Sequence, residues 1–328
     1  MNEIYVGKLV RQLVDAGNVN LIHQPIPVSP KAPSSLHGLG VPVVIGPMNG
    51  GMTYPSGYED LESALSRRFT AAARVAAVFV NRIIPGKRKA AVLLVANART
   101  RAALPVIDHP RLVTLVENGV DLSIWRTEVR HQVRLSNDPF RLAFVGRLIA
   151  LKAVDLTLHA LLLARSNGID ARLSIVGEGE EMETLKALVG ALSLNDAVDF
   201  HGFLSQPECA KVLSNADALI LNSVHECGGA VVLEAMGLGL PVIASNWGGP
   251  ADYVDSSCGI LVSPIPRADF AANLAKAIGK LASDPTLARN MGRSGRQKVE
   301  EHFDWEKKID RMLLIYQDAL LQAAGVSA

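Results

Sequence analysis

Cysteine, aromatic residues and net charge are all scarce in this chain of 328 residues. Three cysteines, Cys209, Cys227 and Cys258, show neither an even count nor CxxC spacing. That excludes a disulfide framework and argues against a zinc site, and it points to a reducing compartment. Aromatic residues are 5%, and 33 Lys plus Arg against 32 Asp plus Glu leave a net charge of +1. A dedicated nucleic-acid binder carries a basic excess, so no nucleic-acid partner is expected. No apolar run of about 18 residues occurs, and nothing spans a bilayer as a helix. The longest candidate, 70–84, is interrupted by Arg74 and Arg82. The first residues lack the apolar core and cleavage site of a secretory signal, so a cytoplasmic location is expected. No Asp-x-Asp occurs, so no acidic pair is available to hold a metal against a diphosphate. What is abundant is apolar surface: 49% hydrophobic against 20% charged residues, enough for two ordinary cores.

From 139 onward the chain alternates strand, turn and helix. Apolar runs at 140–146, 171–177, 198–200, 217–222, 241–245 and 258–262 are strand candidates, with helices at 152–167, 180–189 and 206–214 and through VVLEAMGLG. This spacing predicts a doubly wound parallel sheet, whose strands are covered on both faces and therefore read as unbroken apolar runs. Residues 1–120 yield fewer strands, at 21–23, 42–45, 91–95 and 112–116. They read as a second Rossmann-like domain. The pattern breaks at 121–138, which reads as a linker. Residues 139–300 form the second domain, and 301–328 a terminal helix expected to pack back toward the first.

The segment Glu226-Cys-Gly-Gly-Ala-Val-Val-Leu-Glu234 directly follows the strand at 217–222. A helix starting near Gly229 would aim unpaired N–H groups at the strand's carboxyl end, where open α/β sheets bind ligands and where a phosphate is favoured. Glu226 would lie beside the phosphate and Glu234 a turn or more into the helix. Carboxylates suit sugar hydroxyls. The plain alternative is a capping acid followed by a surface acid. Gly146, Arg147 and Lys152 occupy the turn after the first strand of this half, where a guanidinium and an ammonium can hold a diphosphate. Gly177 and Gly179 form a Gly-x-Gly turn after the second strand. The third glycine of a dinucleotide fingerprint is missing, which argues against a nicotinamide-dependent dehydrogenase.

Taken together, FVGRL with Lys152, IVGEG, VDFHGFL, ADALILNS, ECGGAVVLEAMGLGLPVIAS and GGPADYV resemble the nucleotide-sugar-binding half of the retaining GT-B glycosyltransferases, group 1 (family four). The resemblance spans about 139–323. It implies two Rossmann-like domains facing across a cleft. It also implies transfer of a hexosyl group from a nucleotide diphosphate sugar to a hydroxyl acceptor, a glycan or lipid-linked molecule, without cofactor or metal. Carried over position by position, Arg147 and Lys152 would hold the leaving diphosphate and Glu226 the sugar hydroxyls. Cys227, Gly228, Gly229 and Ala230 would border sugar and phosphate, and Glu234 would bind the ribose. Gly177, Gly179 and Phe203 would border the base. Two positions depart from the pattern: Gly228, where the family often has Phe, and Ala153, where Gly commonly follows the lysine.

The N-terminal half resembles the acceptor domain less completely. His23 matches the histidine at the strand end facing the cleft. Gly46, Asn49, Gly50 and Gly51 form a glycine-rich turn that could approach acceptor or donor; an ordinary tight turn is the alternative. The domain reads as incomplete, with roughly 60–100 residues expected ahead of it at about 30 per strand–helix–strand unit. A chain that binds the nucleotide sugar without turning it over is therefore the second expectation. Residues 63–107 carry nine Lys or Arg and no Asp or Glu, among them Arg67, Arg68, Arg74, Arg82, Lys87, Arg88 and Lys89. Such a stretch can lie on an anionic leaflet at the inner face of the cell membrane; a solvated helix face is the alternative.

Overall fold

The computed structural model describes residues 3–62, 64–106, 108–125 and 138–325, with side chains omitted at 3, 4, 64–72 and 74. The chain divides into two compact units. One comprises Met1–Met52, Glu62–Glu117 and Lys308–Ala328, and the other Thr53–Leu61 and Asn118–Lys307.

In the first unit, α1 (Glu3–Asp15) precedes β1 (Ile22–Gln24) and β2 (Val43–Met48). Helix α2 (Ala64–Ile83) and the single turn α3 (Gly86–Lys89) lead to β3 (Val92–Val95), α4 (Ala98–Ala103) and β4 (Leu112–Thr114). The four strands form one parallel sheet in the order β1-β2-β3-β4. Alternation within VVI and VLLV sends Ile45, Leu93 and Val95 to one face, where Val10 and Val14 of α1 pack. Val44, Val92 and Leu94 go to the other face.

Among the described residues, the second unit holds six parallel strands. They are β5 (Phe140–Val145), β6 (Ala171–Val176), β7 (Val198–Gly202), β8 (Ala218–Leu221), β9 (Val242–Ser245) and β10 (Gly259–Val262). Their order is β10-β9-β8-β5-β6-β7. The connecting helices are α5 (Val154–Ser166), α6 (Met182–Ala191), α7 (Gln206–Ser214), α8 (Ala230–Gly237), the single turn α9 (Pro250–Tyr253), α10 (Arg267–Ser283) and α11 (Pro285–His302). Local chemistry sets their starts. Ser205 and Glu208 close a reciprocal capping box on α7, and the Asp284 side chain accepts from Leu287 N–H at the head of α11. Strands β8 and β9 are buried residue for residue, as a sheet covered on both faces requires.

The last helix, α12 (Trp305–Ala323), passes from the second unit into the first at Lys308. Its Met312, Ile315, Tyr316 and Ala319 pack on the Val44–Leu94 face of the first sheet. The expected α/β class with two parallel sheets is what the chain forms.

Two boundaries differ from the expected domain limits. Thr53–Leu61 belongs to the second unit although it lies far inside the first in sequence. Of the expected linker, 126–137 lies outside the described residues, and 121–125 is already part of the second unit. Just ahead of it, Val120 N–H donates to Phe303 C=O at 2.8 Å and Val120 C=O accepts from Trp305 N–H at 3.1 Å.

Candidate functional site

The sheet order places the site. From β5 the chain winds outward through β6 and β7, then returns to lay β8 on the other side of β5. The loops after β5 and β8 therefore part in opposite directions, leaving the crevice in which open α/β sheets bind ligands. Lys152 lies on the first of these loops and Glu226 on the second. Lys152 Nζ donates to Glu226 Oε2, and the two side chains are only 15% and 17% exposed. Two opposite charges this far from water attract strongly, and each makes the other's burial tolerable.

The turn that carries Lys152 is fixed from three sides. Leu148 N–H donates to Glu178 C=O at 2.9 Å, and Val224 N–H to Leu151 C=O at 2.9 Å. The buried Asn222 amide donates to Ala153 C=O at 2.7 Å and accepts from Thr157 Oγ1 at 2.5 Å. Lys152 closes a 3₁₀ turn, Ala150–Lys152, and Ala153 stands in the left-handed region at φ 49°. Helix α5 thus starts two residues later than the expected 152, because the chain must reverse to bring Lys152 over the crevice. A glycine would adopt this conformation without the strain that alanine bears.

The loop after β8 delivers three features. Gly229, at φ 79°, is the N-cap of α8, so the N–H groups of the first turn open at the strand end. No side chain caps this helix, so Glu226 is not a capping acid. Gly249 N–H donates to Glu226 C=O at 2.7 Å, and any side chain on Gly249 would strike the carbonyls of Cys227 and Gly228. Glu234 stands four residues into α8, where burial pushes its carboxyl up to about 7.

Gly177 approaches the turn after β5 so closely that a Cβ there would stand 2.0 Å from Gly146 C=O; one on Gly179 would stand 2.2 Å from Leu148 C=O. Phe203, after β7, is 77% exposed, and its N–H donates to Glu178 Oε1 at 3.4 Å. Arg147 is exposed and makes no ion pair with a described residue. The second unit thus brings Arg147, Lys152, Gly177, Gly179, Phe203, Glu226, Gly229 and Glu234 to the carboxyl edge of one sheet.

The first-unit candidates are held in a different way. His23, the middle residue of β1, has both ring nitrogens engaged: Nε2–H donates to Gly46 C=O at 2.6 Å, and Nδ1 accepts from the Tyr316 hydroxyl at 2.7 Å. A carbonyl only accepts, which fixes this tautomer. Both partners of the His23 ring thus lie within the first unit. Asn49 lies in a buried amide network. Its amide donates to Glu117 Oε1, its carbonyl accepts from Asn97 Nδ2 at 3.3 Å, and Gly50 N–H donates to Thr100 Oγ1 at 3.0 Å. Gly51, at φ 75°, turns the chain away behind it.

Sequence reasoning missed the contacts of Thr53–Leu61, since nothing local shows which sheet a loop will choose. Tyr54 stacks on His225, with ring centroids 4.6 Å apart and planes 31° apart, and Trp247 Nε1–H donates to Thr53 C=O at 2.9 Å. The density of aromatics in MTYPSGY is the one signal that could have found them.

The family model described as Glycosyl transferases group 1 matches residues 126–298. A glycogen synthase of Mycobacterium tuberculosis is 32% identical over 195 residues, which are 59% of this chain and 45% of that protein. A D-inositol 3-phosphate glycosyltransferase of Arthrobacter sp. is 31% identical over 256 residues, 74% of this chain and 58% of that protein. The chain spans about half the length of these curated relatives. Among solved structures, Anabaena Alr3699/HepE in complex with UDP aligns with a TM-score of 0.72 at 18% identity, covering 94% of this chain and 81% of that one. Sucrose-phosphate synthase from Thermosynechococcus elongatus aligns at 0.65 and 23% identity, covering 96% and 78%. At these identities the likeness is one of fold.

Proposed function

Because this chain belongs to the group 1 glycosyl transferases, we propose that it moves a hexosyl group from a nucleotide diphosphate sugar to a hydroxyl acceptor, a glycan or lipid-linked molecule, retaining anomeric configuration and needing no metal. The observation that carries this reading is the Lys152–Glu226 pair at the switch point, beside the open N-terminus of α8. Arg147, Lys152 and the first N–H groups of α8 would stabilise the leaving diphosphate. Glu226 would take the sugar hydroxyls, Glu234 the ribose, and Phe203 with Gly177 and Gly179 the base. The leaving phosphate would accept the acceptor's proton, which agrees with a His23 whose nitrogens are occupied. Gly46, Asn49, Gly50 and Gly51 would border the acceptor.

Glu234 gives this reading a pH signature. In the free protein its carboxyl titrates near 7, well above the unfolded value, because burial disfavours the charge. The folded chain therefore holds an extra proton between about 4.5 and 7, and that contribution to stability is lost as pH rises through this window. Ribose hydroxyls donate to a carboxylate, so binding requires the ionised form. Affinity for a nucleotide sugar, whose phosphates do not titrate here, should rise severalfold from pH 6 to pH 8 and release a proton. Glu234→Gln should abolish the pH dependence and weaken binding roughly tenfold to a hundredfold, the worth of a bond to a charged group. Calorimetry in excess EDTA, in buffers of different ionisation enthalpy, measures both; pH-independent wild-type affinity, or affinity restored only by magnesium, sinks the assignment.

We further place the chain on the cytoplasmic face of a membrane through 63–107. No helix among the described residues is long and apolar enough to cross one. Yet Val75, Phe79 and Ile83 on α2 are 63%, 62% and 80% exposed at four-residue spacing, and Arg82, Arg88 and Lys89 are exposed beside them. The side chains of Arg67, Arg68 and Arg74 lie outside the described residues. Sedimentation with vesicles should require anionic lipid, weaken with salt, and be lost on Phe79→Asp with Ile83→Asp. Equal sedimentation with neutral vesicles counts against it.

A further inference from the structure

The nine residues Thr53–Leu61 leave the first unit, fasten to the second and return. Their anchors fall on the segments that follow three successive strands at one edge of the sheet. After β8, His225 carries the ring of Tyr54. After β9, Trp247 donates to Thr53 C=O. After β10, Arg267 at the head of α10 donates to Gly57 C=O at 3.0 Å and to Asp60 Oδ1 at 2.7 Å, and its guanidinium lies 4.7 Å from the centroid of the buried Tyr58 ring. Nine residues thus tie down three loops, two of which touch each other, since Gly249 N–H holds Glu226 C=O. The residue adjoining Glu226 is the one that Tyr54 covers.

We propose that Thr53–Leu61 is a strap that positions the donor-sugar end of the site, and that Tyr54, through His225, is a positioning residue for Glu226. The Lys152–Glu226 pair needs its loop held from outside, because α8 begins only at Ala230 and gives the preceding residues no helical support. A stacked ring supplies that support without placing a second charge near the pair. The consequence for transfer rests on the donor-site reading above; the contact itself does not.

Cys227, next after Glu226, is exposed, whereas Cys209 and Cys258 are buried, so the rate of thiol labelling in the native protein reports on this loop alone. Tyr54→Ala should speed labelling three- to tenfold with no ligand present, and Tyr54→Phe, which keeps the ring, should leave it unchanged. With UDP and UDP-glucose as probes, Tyr54→Ala should lose three- to tenfold affinity for the sugar nucleotide and none for UDP. A labelling rate for Tyr54→Ala within twofold of wild type overturns the strap. So does a Tyr54→Phe variant that labels like Tyr54→Ala. Wild-type protein that binds neither probe bears on the donor reading alone, and the labelling result still decides the strap.

Discussion

Lys152→Ala is expected to lower transfer a hundred- to thousandfold, the range found when a preorganised group facing developing negative charge is removed (about 3–4 kcal/mol). It should also destabilise the fold by about 2–3 kcal/mol, because Glu226 would be left in a largely buried place without its partner. Glu226→Gln should likewise leave an uncompensated ammonium, abolish most transfer and spare affinity for the free nucleotide diphosphate. The double variant Lys152→Ala with Glu226→Gln should be more stable than Lys152→Ala alone, since no charge then remains to be buried without a partner. Denaturant unfolding of the three variants, read as a cycle, measures the coupling. Purely additive losses would show that the two side chains do not act as a pair. Unchanged turnover of Lys152→Ala would remove the ammonium from the leaving-group role.

Gly177→Ala is the second large effect. The residue has φ 128°, where an L side chain is strained, and its Cβ would stand 2.0 Å from Gly146 C=O, a backbone atom that cannot swing aside. The turns after β5 and β6 would have to separate, breaking the bond from Gly146 N–H to Val176 C=O. A cost of about 3–5 kcal/mol is expected, enough to lower the melting temperature by roughly 10 °C. Gly168→Ala is the matched control. It also has a positive φ, 84°, but nothing lies within 4 Å of its Cβ, so about 1 kcal/mol is expected. Equal melting temperatures for the two variants would mean that the contact between the turns is not what requires glycine at 177.

How much of this was open to sequence reasoning depended on whether the signal was local. The strands of the second unit were legible because a strand buried on both faces reads as an apolar run, as ALIL and the VIA of VIAS do. Helix α7 was legible because Ser205, Pro207 and Glu208 signal its start at fixed offsets. The gathering of Lys152 and Glu226, 74 residues apart, was reached only through family resemblance. Sequence spacing placed Glu226 on the loop and Glu234 a turn or more into a helix starting near Gly229. The structure starts the helix at Ala230, so only half of the interval between the two acids is helical, and they differ chiefly in that Glu226 meets Lys152 whereas burial pushes the Glu234 carboxyl up.

By itself the sequence determined the alternation of strands and helices, the parallel sheets, and the glycines at the strand ends, since each follows from patterns within a few residues. The tertiary structure alone decided that Lys152 and Glu226 neutralise each other, because their distance is set by the order in which β5 and β8 lie in the sheet. It alone decided that His23 is committed to Gly46 and Tyr316, the latter 293 residues away on α12. The attachment of Thr53–Leu61 to the second unit also belongs to the tertiary structure. The free energy of a loop's docking comes from partners such as Trp247, Arg267 and His225, and no pattern inside the loop encodes where those partners will be.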